Sequence, residues 1–281
     1  MFVNSLKISL FCRKAFEMFL DKEEPVCCYF DNLLKFSDEV LHFVSTRKYH
    51  HHENFSIALN GYLTDEEVIS NRKLLASKFG IDIKNLVFAR QIHGNVVEHI
   101  SSMEKGRGVV ETLDSCLGSD GMMTQDRGIC LVIKTADCVP LLFFDPVKKV
   151  IAAAHAGWKG TLMKIGARVI EEFQNIYLSK PEDIFVGIGP SIGPCCYEIG
   201  NDVASKVKEV FSDTEDILLK TSHFSRYVFD LWEANRRILI EKGVQPQNIE
   251  LSGFCTRCHS HLFFSARAGD KGRMGSFIML K

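Results

Sequence analysis

The spacing of apolar residues along the chain predicts four amphipathic helices. The first begins after Thr64, because this threonine and Glu67 form a capping box, and it ends before Gly80. Its apolar stripe consists of Val68, Leu74, Leu75 and Phe79. The same spacing predicts helices at residues 161–177, 201–211 and 231–242.

Short runs rich in Val, Ile, Leu and Phe predict strands along the chain. They lie at residues 43–46, 86–89, 96–100, 129–134, 139–144, 150–154, 184–188, 249–252 and 276–280. These strands outnumber the helices that could connect parallel neighbours, so a purely parallel, doubly wound sheet is disfavoured. Because no repeat or linker marks a boundary, the pattern predicts a single α/β domain with mixed β-sheets over residues 1–281.

Composition and charge exclude several classes of protein. The 281 residues are 46% hydrophobic, with 34 Lys and Arg against 35 Asp and Glu, which is typical of a folded globular protein. The net charge of -1 gives no basic field for nucleic acid or anionic lipid. Charged residues interrupt the apolar N-terminus, and no run approaches the ~18 apolar residues of a membrane helix. We expect a cytoplasmic protein without nucleic-acid or membrane partners, as a monomer or homodimer.

The cysteines do not form the framework of a secreted protein. Ten cysteines in 281 residues are too few and too irregularly spaced for that class, so most are expected to be reduced thiols. Cys255 and Cys258 have the spacing of a zinc-binding pair, but a second pair such as His259 and His261 is too closely spaced to complete the site. Packing is therefore the favoured role for this pair, and also for the adjacent Cys195–Cys196.

The chain between Cys138 and His155 has the pattern of a β-hairpin. If Asp145 pairs with Lys148 across the turn, Cys138 lies directly opposite His155 on the same face, with Cβ atoms ~4.5 to 5.5 Å apart. That separation suits two ligands of one metal ion, although a slip of one residue would place the side chains on opposite faces. Either residue alone is more typical of a buried core position.

A catalytic zinc site needs a third protein ligand. His93 is the best candidate, because it follows a predicted strand and precedes Gly94, and His99 is the second choice. The run His50 to His52 is more typical of a solvated loop than of a ligand set.

Six segments of the sequence carry a family resemblance. They are QIHG (91–94), TADCVPLLFFDP (135–146), AAHAGWKGT (153–161), GIGPSIGPCCYEIG (187–200), DLWEANRRIL (230–239) and FFSARAGDKGRMG (263–275). From about residue 43 onwards they resemble, in order, the family once called polyphenol oxidase or laccase-domain proteins and now understood as zinc-dependent purine nucleoside phosphorylases. The resemblance implies sheets packed between helices, with His93, Cys138 and His155 as zinc ligands and catalytic centre. Residues 1–42 are poorly matched, and the usual glycines after Arg47 are absent.

The resemblance also implies a reaction and its substrates. They are phosphorolysis of adenosine, inosine, guanosine or methylthioadenosine with phosphate, and zinc-dependent deamination of adenosine. A zinc ion with an open coordination position lowers the pKa of water, which suits deamination. Phosphate requires cationic side chains. The candidates on or beside the family-like segments are Arg47, Lys159, Arg267 and Arg273.

Other functions stay open from the residues alone. A copper-dependent polyphenol oxidase would need many paired histidines, and outside residues 50–52 this chain has few. An amidase acting on cell-wall precursors and a non-enzymatic zinc-binding interaction protein are further alternatives. A fully occupied four-ligand site would favour the interaction protein, whereas an open coordination position favours catalysis. Cys138 beside histidines also has the pattern of a covalent nucleophile.

Overall fold

Fourteen strands and six helices are found in the part of the chain that the computed structural model describes, residues 26–111, 118–221 and 225–281. The strands are β1 Cys27–Cys28, β2 Val40–Ser45, β3 Leu86–Phe88, β4 Val97–His99, β5 Gly121–Thr124, β6 Cys130–Thr135, β7 Val139–Asp145, β8 Val150–Ala156, β9 Phe185–Ile188, β10 Glu198–Gly200, β11 Leu218–Lys220, β12 Arg226–Phe229, β13 Ile249–Leu251 and β14 Met274–Leu280. The helices are α1 Asp31–Leu34, α2 Asp65–Lys78, α3 Trp158–Leu162, α4 Ile165–Tyr177, α5 Asn201–Val210 and α6 Leu231–Glu241.

The strands form three sheets. The six-stranded sheet has the order β13-β9-β7-β8-β5-β4, and the five-stranded sheet has the order β1-β2-β14-β6-β3. Both combine parallel and antiparallel pairs, whereas the small sheet β10-β12-β11 is antiparallel. The predicted mixed α/β fold is confirmed.

The central strands β7 and β8 are buried on both faces. On one face, Leu141 and Phe143 pack in a core with residues of α4 and α6. On the other face, Leu142 and Phe144 pack in a second core with the five-stranded sheet. Burial on both faces explains why these strands have continuous apolar runs instead of an alternating pattern.

The helix predicted after Thr64 is confirmed, with one correction to its buried stripe. The capping box between Thr64 and Glu67 is present. Leu74, expected in the stripe, is 41% exposed, while Arg72 is only 2% exposed. Arg72 tolerates burial because its guanidinium donates hydrogen bonds to the carbonyls of Ile57, Gly108 and Val109.

The helix predicted over residues 161–177 is two helices. The chain breaks between α3 and α4, where Lys164 adopts a left-handed conformation with φ of 56°. Helices α5 and α6 match their predictions closely, and Gly243 follows α6 with φ of 92°. Strand β5 was missed, because its sequence GMMT lacks the β-branched residues that mark a strand.

The predicted register of the hairpin is wrong by two positions. Asp145 pairs with Val150, and His155 lies opposite Pro140 instead of Cys138. The turn is longer than predicted, and its backbone passes through a positive φ of 52° at Lys149. Because side chains alternate between the two faces of a strand, a shift of two residues leaves each side chain on the predicted face. Cys138 lies just before the start of β7 and still approaches His155.

No helix within the described ranges combines the length and the apolar character that crossing a membrane requires.

Candidate metal centre and its cavity

Three side chains converge at one end of the β7–β8 hairpin. His93 lies in the loop after β3, Cys138 lies in the bend between β6 and β7, and His155 lies near the end of β8. One ligand atom from each lies within 4.8 Å of the others. The imidazole rings of the two histidines are nearly perpendicular, with centroids 4.8 Å apart. We call these three residues the three-ligand site.

Asp120 positions both histidines of the three-ligand site, and the sequence analysis missed it. Its fully buried carboxylate lies 2.7 Å from Nδ1 of His155. It also accepts hydrogen bonds from the backbone N–H groups of Ile92, His93 and Gly94, at 3.1, 3.0 and 2.6 Å. A carboxylate behind a histidine fixes its ring orientation and tautomer in metal sites. Asp120 therefore presents Nε2 of His155 towards Cys138.

The backbone at the three-ligand site is held in uncommon conformations. His93 has φ of 61°, and Asp137, the residue before Cys138, has φ of 84°. The Asp137 carboxylate accepts hydrogen bonds from the Thr256 hydroxyl at 2.6 Å and from the Arg267 backbone N–H at 2.7 Å. Its carbonyl accepts one from Ile192 N–H at 2.9 Å. Such backbone strain persists only where the surroundings fix it, so Asp137 anchors the loop that presents Cys138.

Gly157, which follows β8, allows the ligands to approach each other closely. A Cβ atom at this position would lie 3.0 Å from Sγ of Cys138 and 3.2 Å from Cδ2 of His93. Any larger residue would displace one of the two ligands. The AHAGW segment therefore supplies both a ligand, His155, and the glycine that leaves room for Cys138 and His93.

The electrostatics of the three-ligand site favour a thiolate. Burial raises the pKa of Cys138, but the charge and hydrogen bond of His155, together with those of His93, outweigh it and lower the pKa to about 6. For His155, burial lowers the pKa, while the charge of Cys138 and the hydrogen bond to Asp120 raise it to about 9. Burial also opposes ionisation of Asp120, yet hydrogen bonds from His155 and Gly94 hold its pKa below the usual range.

A cavity of about 390 Å³ opens onto the three-ligand site. This volume lies within the ~300 to 1,000 Å³ typical of small-molecule sites. Its wall includes all three ligands and the cationic residues Arg72, Arg90, Lys134 and Arg273. Burial, with a smaller contribution from the charge of Arg72, lowers the pKa of Lys134 to about 8. The cavity therefore combines a metal-binding wall with positive charge.

The four cations predicted to bind phosphate lie in different surroundings. Arg273 lines the cavity. Arg47 forms an ion pair with Asp270, and its guanidinium also donates to the Ser260 carbonyl at 2.8 Å. The Lys159 ammonium lies 5.6 Å from the Trp158 ring centroid.

Arg267 is the fourth of these cations, and its guanidinium lies over the Tyr197 ring and donates to the Glu198 carbonyl. For all four cations, including Arg273, a phosphate contact stays a prediction. The sequence analysis overlooked Arg90 and Lys134, which lie at the end of β3 and within β6.

The other histidines considered as ligands lie elsewhere. His99 forms an ion pair with Glu172 at 3.5 Å. His50, His51 and His52 are exposed in the loop after β2.

The donor set of the three-ligand site fits a metal ion. Two imidazole nitrogens and one thiolate sulfur are ligands that zinc accepts, and copper shares them. With three protein ligands, a tetrahedral ion keeps one position for water or substrate. That position would face the cavity, because all three ligands line its wall.

Comparisons with known proteins identify a family and relatives that the chain resembles. The family described as Multi-copper polyphenol oxidoreductase laccase matches residues 42–281. The purine nucleoside phosphorylase YlmD of Bacillus subtilis is 36% identical over 82% of this chain and 83% of its own. The adenosine deaminase RL5 of an unknown prokaryotic organism is 34% identical over 75% of this chain and 81% of its own. The crystal structure of the hypothetical protein YfiH of Bacillus licheniformis superposes with a TM-score of 0.87, 30% identity and coverage of 95% and 100%.

Proposed function

The chain belongs to the multi-copper polyphenol oxidoreductase laccase family, and on that premise we propose that it is a zinc-dependent purine nucleoside phosphorylase that also deaminates adenosine. Its substrates are adenosine, inosine, guanosine or methylthioadenosine, with phosphate. Relatives named purine nucleoside phosphorylase and adenosine deaminase support this assignment.

One observation carries the proposal: the three-ligand site and four cationic residues line the same cavity. A nucleoside is mostly apolar on its base faces and needs few polar contacts, whereas phosphate needs concentrated positive charge. A cavity that combines the two fits a reaction between these partners. A phenol oxidase would not need the cations.

The residues around the cavity have separate roles. His93, Cys138 and His155 would hold the zinc ion, which would supply Lewis acidity for deamination. Asp120 binds Nδ1 of His155 and so fixes the ring orientation that leaves Nε2 available to a metal. Arg273 and Lys134 line the cavity and would neutralise the phosphate. Because the pKa of Lys134 is about 8, phosphate binding should weaken as the pH rises through 8.

A second mechanism is favoured by one specific observation. Cys138, His155 and Asp120 are arranged as a nucleophile, a base and the group that orients the base, with 2.7 Å between Asp120 Oδ1 and His155 Nδ1. A Cys138 thiolate would attack the sugar carbon of the glycosidic bond as the bond to the base breaks, with His155 giving a proton to the departing base. Phosphate would then displace the sulfur, so this route would not need metal. The two mechanisms therefore differ in metal dependence and in the reactivity of Cys138.

The experiment is a substrate panel with purified protein. Each of the four nucleosides is incubated with and without phosphate, and free base, ribose 1-phosphate and ammonia are measured. We expect base and ribose 1-phosphate only with phosphate, and ammonia from adenosine in either case. Base release without phosphate would instead indicate a hydrolase, and oxygen uptake with a phenol would indicate an oxidase.

Two variants make the panel diagnostic. Cys138→Ala should lose both turnover and the metal of the three-ligand site. Cys130→Ala is the matched control, because Cys130 is buried in β6 and lies outside the three-ligand site. Full activity in metal-free protein, or a covalent substrate adduct on Cys138, would favour the cysteine nucleophile.

A further inference from the structure

Four cysteines converge in a second group outside the three-ligand site. Cys195 and Cys196 lie in the loop after β9, and Cys255 and Cys258 lie in the loop after β13. We call these four residues the cysteine cluster. Nothing in the proposed nucleoside chemistry uses them, because the cavity wall is formed by other residues.

The distances within the cysteine cluster are those of a tetrahedral thiolate site. Sγ of Cys258 lies 3.5 Å from Sγ of Cys195 and 3.5 Å from Sγ of Cys196. All four sulfur atoms lie within 4.8 Å of one another. Zinc–sulfur bonds of about 2.3 Å in a tetrahedron place sulfur atoms about 3.8 Å apart. One ion would therefore reach all four sulfurs after small side-chain movements.

Backbone contacts shape the two loops around the sulfur atoms. The Gly193 carbonyl accepts hydrogen bonds from the N–H groups of Cys196 and Tyr197, which forms a turn. The Gly193 N–H donates to Sγ of Cys255 at 3.3 Å. Such outer contacts to a ligand orient it and tune its basicity in metal sites.

Gly193 also lies where the loop after β9 closely approaches the loop after β13. A Cβ atom there would lie 2.6 Å from the Trp232 ring and 3.2 Å from Cβ of Cys255. Glycine therefore lets the first loop approach the second closely enough for four sulfurs to meet.

A disulfide explains this arrangement less well. Cys258 is equally distant from Cys195 and Cys196, and it can bridge only one of them. The remaining sulfur could bridge Cys255, but the equal distances favour neither pairing, whereas one metal ion would use all four sulfur atoms together. Exposure also suits metal entry, because Cys195 and Cys258 are exposed while Cys255 is buried.

We propose that the cysteine cluster binds a second zinc ion in a closed, structural site. Four thiolates leave no position for substrate. The ion would link the loop after β9 to the loop after β13, because each loop supplies two of its ligands. Both loops hold Asp137, through Ile192 N–H and the Thr256 hydroxyl. The cluster thus stabilises the bend that presents Cys138, and this inference does not rest on the reaction proposed above.

The first test is a metal count on full-length protein purified with zinc and without chelator. The wild type should carry about two zinc ions per chain, since each site holds one. Cys258→Ser should carry one, Cys138→Ala should carry one, and the double variant should carry none. Cys130→Ala is the control and should retain both. A wild type whose zinc disappears entirely with Cys138→Ala would overturn the proposal.

A second measurement does not require a cluster variant to fold. Cobalt is exchanged into Cys138→Ala, and its absorption is recorded. Four thiolate ligands should give intense sulfur-to-cobalt charge-transfer bands and tetrahedral d–d bands. The result against the proposal is a weak octahedral spectrum, or a disulfide within the cluster in protein whose thiols were trapped at lysis.

Discussion

The three-ligand site and the cysteine cluster differ in how the fold supports them. The three-ligand site combines His155 of β8 with a loop residue and a bend residue that follow strands of the five-stranded sheet, and a fully buried carboxylate, Asp120, fixes two of its ligands. The cysteine cluster lies on two loops, and a backbone N–H supports one of its sulfurs. One site has three ligands beside a cavity, and the other has four. Ligand number and access to a cavity, more than the presence of cysteine, separate a catalytic site from a structural one.

The largest expected effect is a difference in enzymatic activity between a variant of the three-ligand site and a variant of the cysteine cluster. Cys138→Ala should lower kcat/KM for adenosine deamination by on the order of 10³-fold, because metal and ligand charge are worth several kcal/mol to the transition state. Cys258→Ser should retain activity to within about tenfold, which corresponds to 1.4 kcal/mol. The comparison is measured at saturating zinc. Equal losses in the two variants would contradict the division of roles.

The next prediction concerns Asp120. Asp120→Asn should weaken metal binding at the three-ligand site by about 10- to 100-fold, as expected for loss of an outer carboxylate partner. Competition with a chelator measures the affinity, and the cysteine cluster should keep its ion. Asp145→Asn is the matched control: Asp145 is also fully buried and accepts backbone N–H groups, but in the β7–β8 turn. An equal loss in both variants would mean that Asp120 acts only on stability.

A smaller effect should reveal the connection between the sites. Thr256→Val removes the hydrogen bond to Asp137 and should lower the free energy of unfolding by about 1.5 to 3 kcal/mol, the value for a charged acceptor. The variant should still bind about two zinc ions, with turnover reduced several-fold. Thr124→Val removes a neutral hydrogen bond to the Asp126 N–H and serves as control. Unchanged turnover in Thr256→Val would contradict the proposed connection between the cysteine cluster and the bend that presents Cys138.

The smallest effect concerns thiol reactivity after metal removal. In chelated protein, the Cys138 pKa of about 6 makes it a thiolate at neutral pH, so alkylation should rise through pH 6 and then level off. Burial raises the pKa of Cys258, so its alkylation should still be increasing above pH 8. Peptide mapping after timed labelling resolves the two. Rapid labelling of Cys138 in zinc-loaded protein would contradict its role as a ligand.

The sequence predicted what local pattern determines and missed what distant segments bring together. The capping box at Thr64 and the strands β7 and β8 follow from adjacent residues. The cysteine cluster joins Cys195 and Cys258, which are 63 positions apart, and neither pair completes a site by itself. Asp120 has no neighbouring pattern, because its partners lie 26 to 35 positions away.

The hairpin shows a different kind of limit. The sequence pattern predicts that Asp145 pairs with Lys148 across the turn, whereas in the structure Asp145 pairs with Val150. The predicted register therefore failed, while the approach of Cys138 to His155 survived because the error was an even number of residues. The residue types of the two ligands therefore predicted their convergence better than the strand register did.

The position of β14 has a consequence for folding kinetics. This strand lies between β2 and β6, and Leu280 pairs with Val40 across almost the whole chain. Pairing between such distant segments closes a very long loop and is slow. Lys134 lies in β6 opposite Gly275, so one wall of the cavity is assembled only when this pairing occurs. In refolding from denaturant, helical circular dichroism should therefore return before enzymatic activity, and catalytic competence should be the last property that the chain regains.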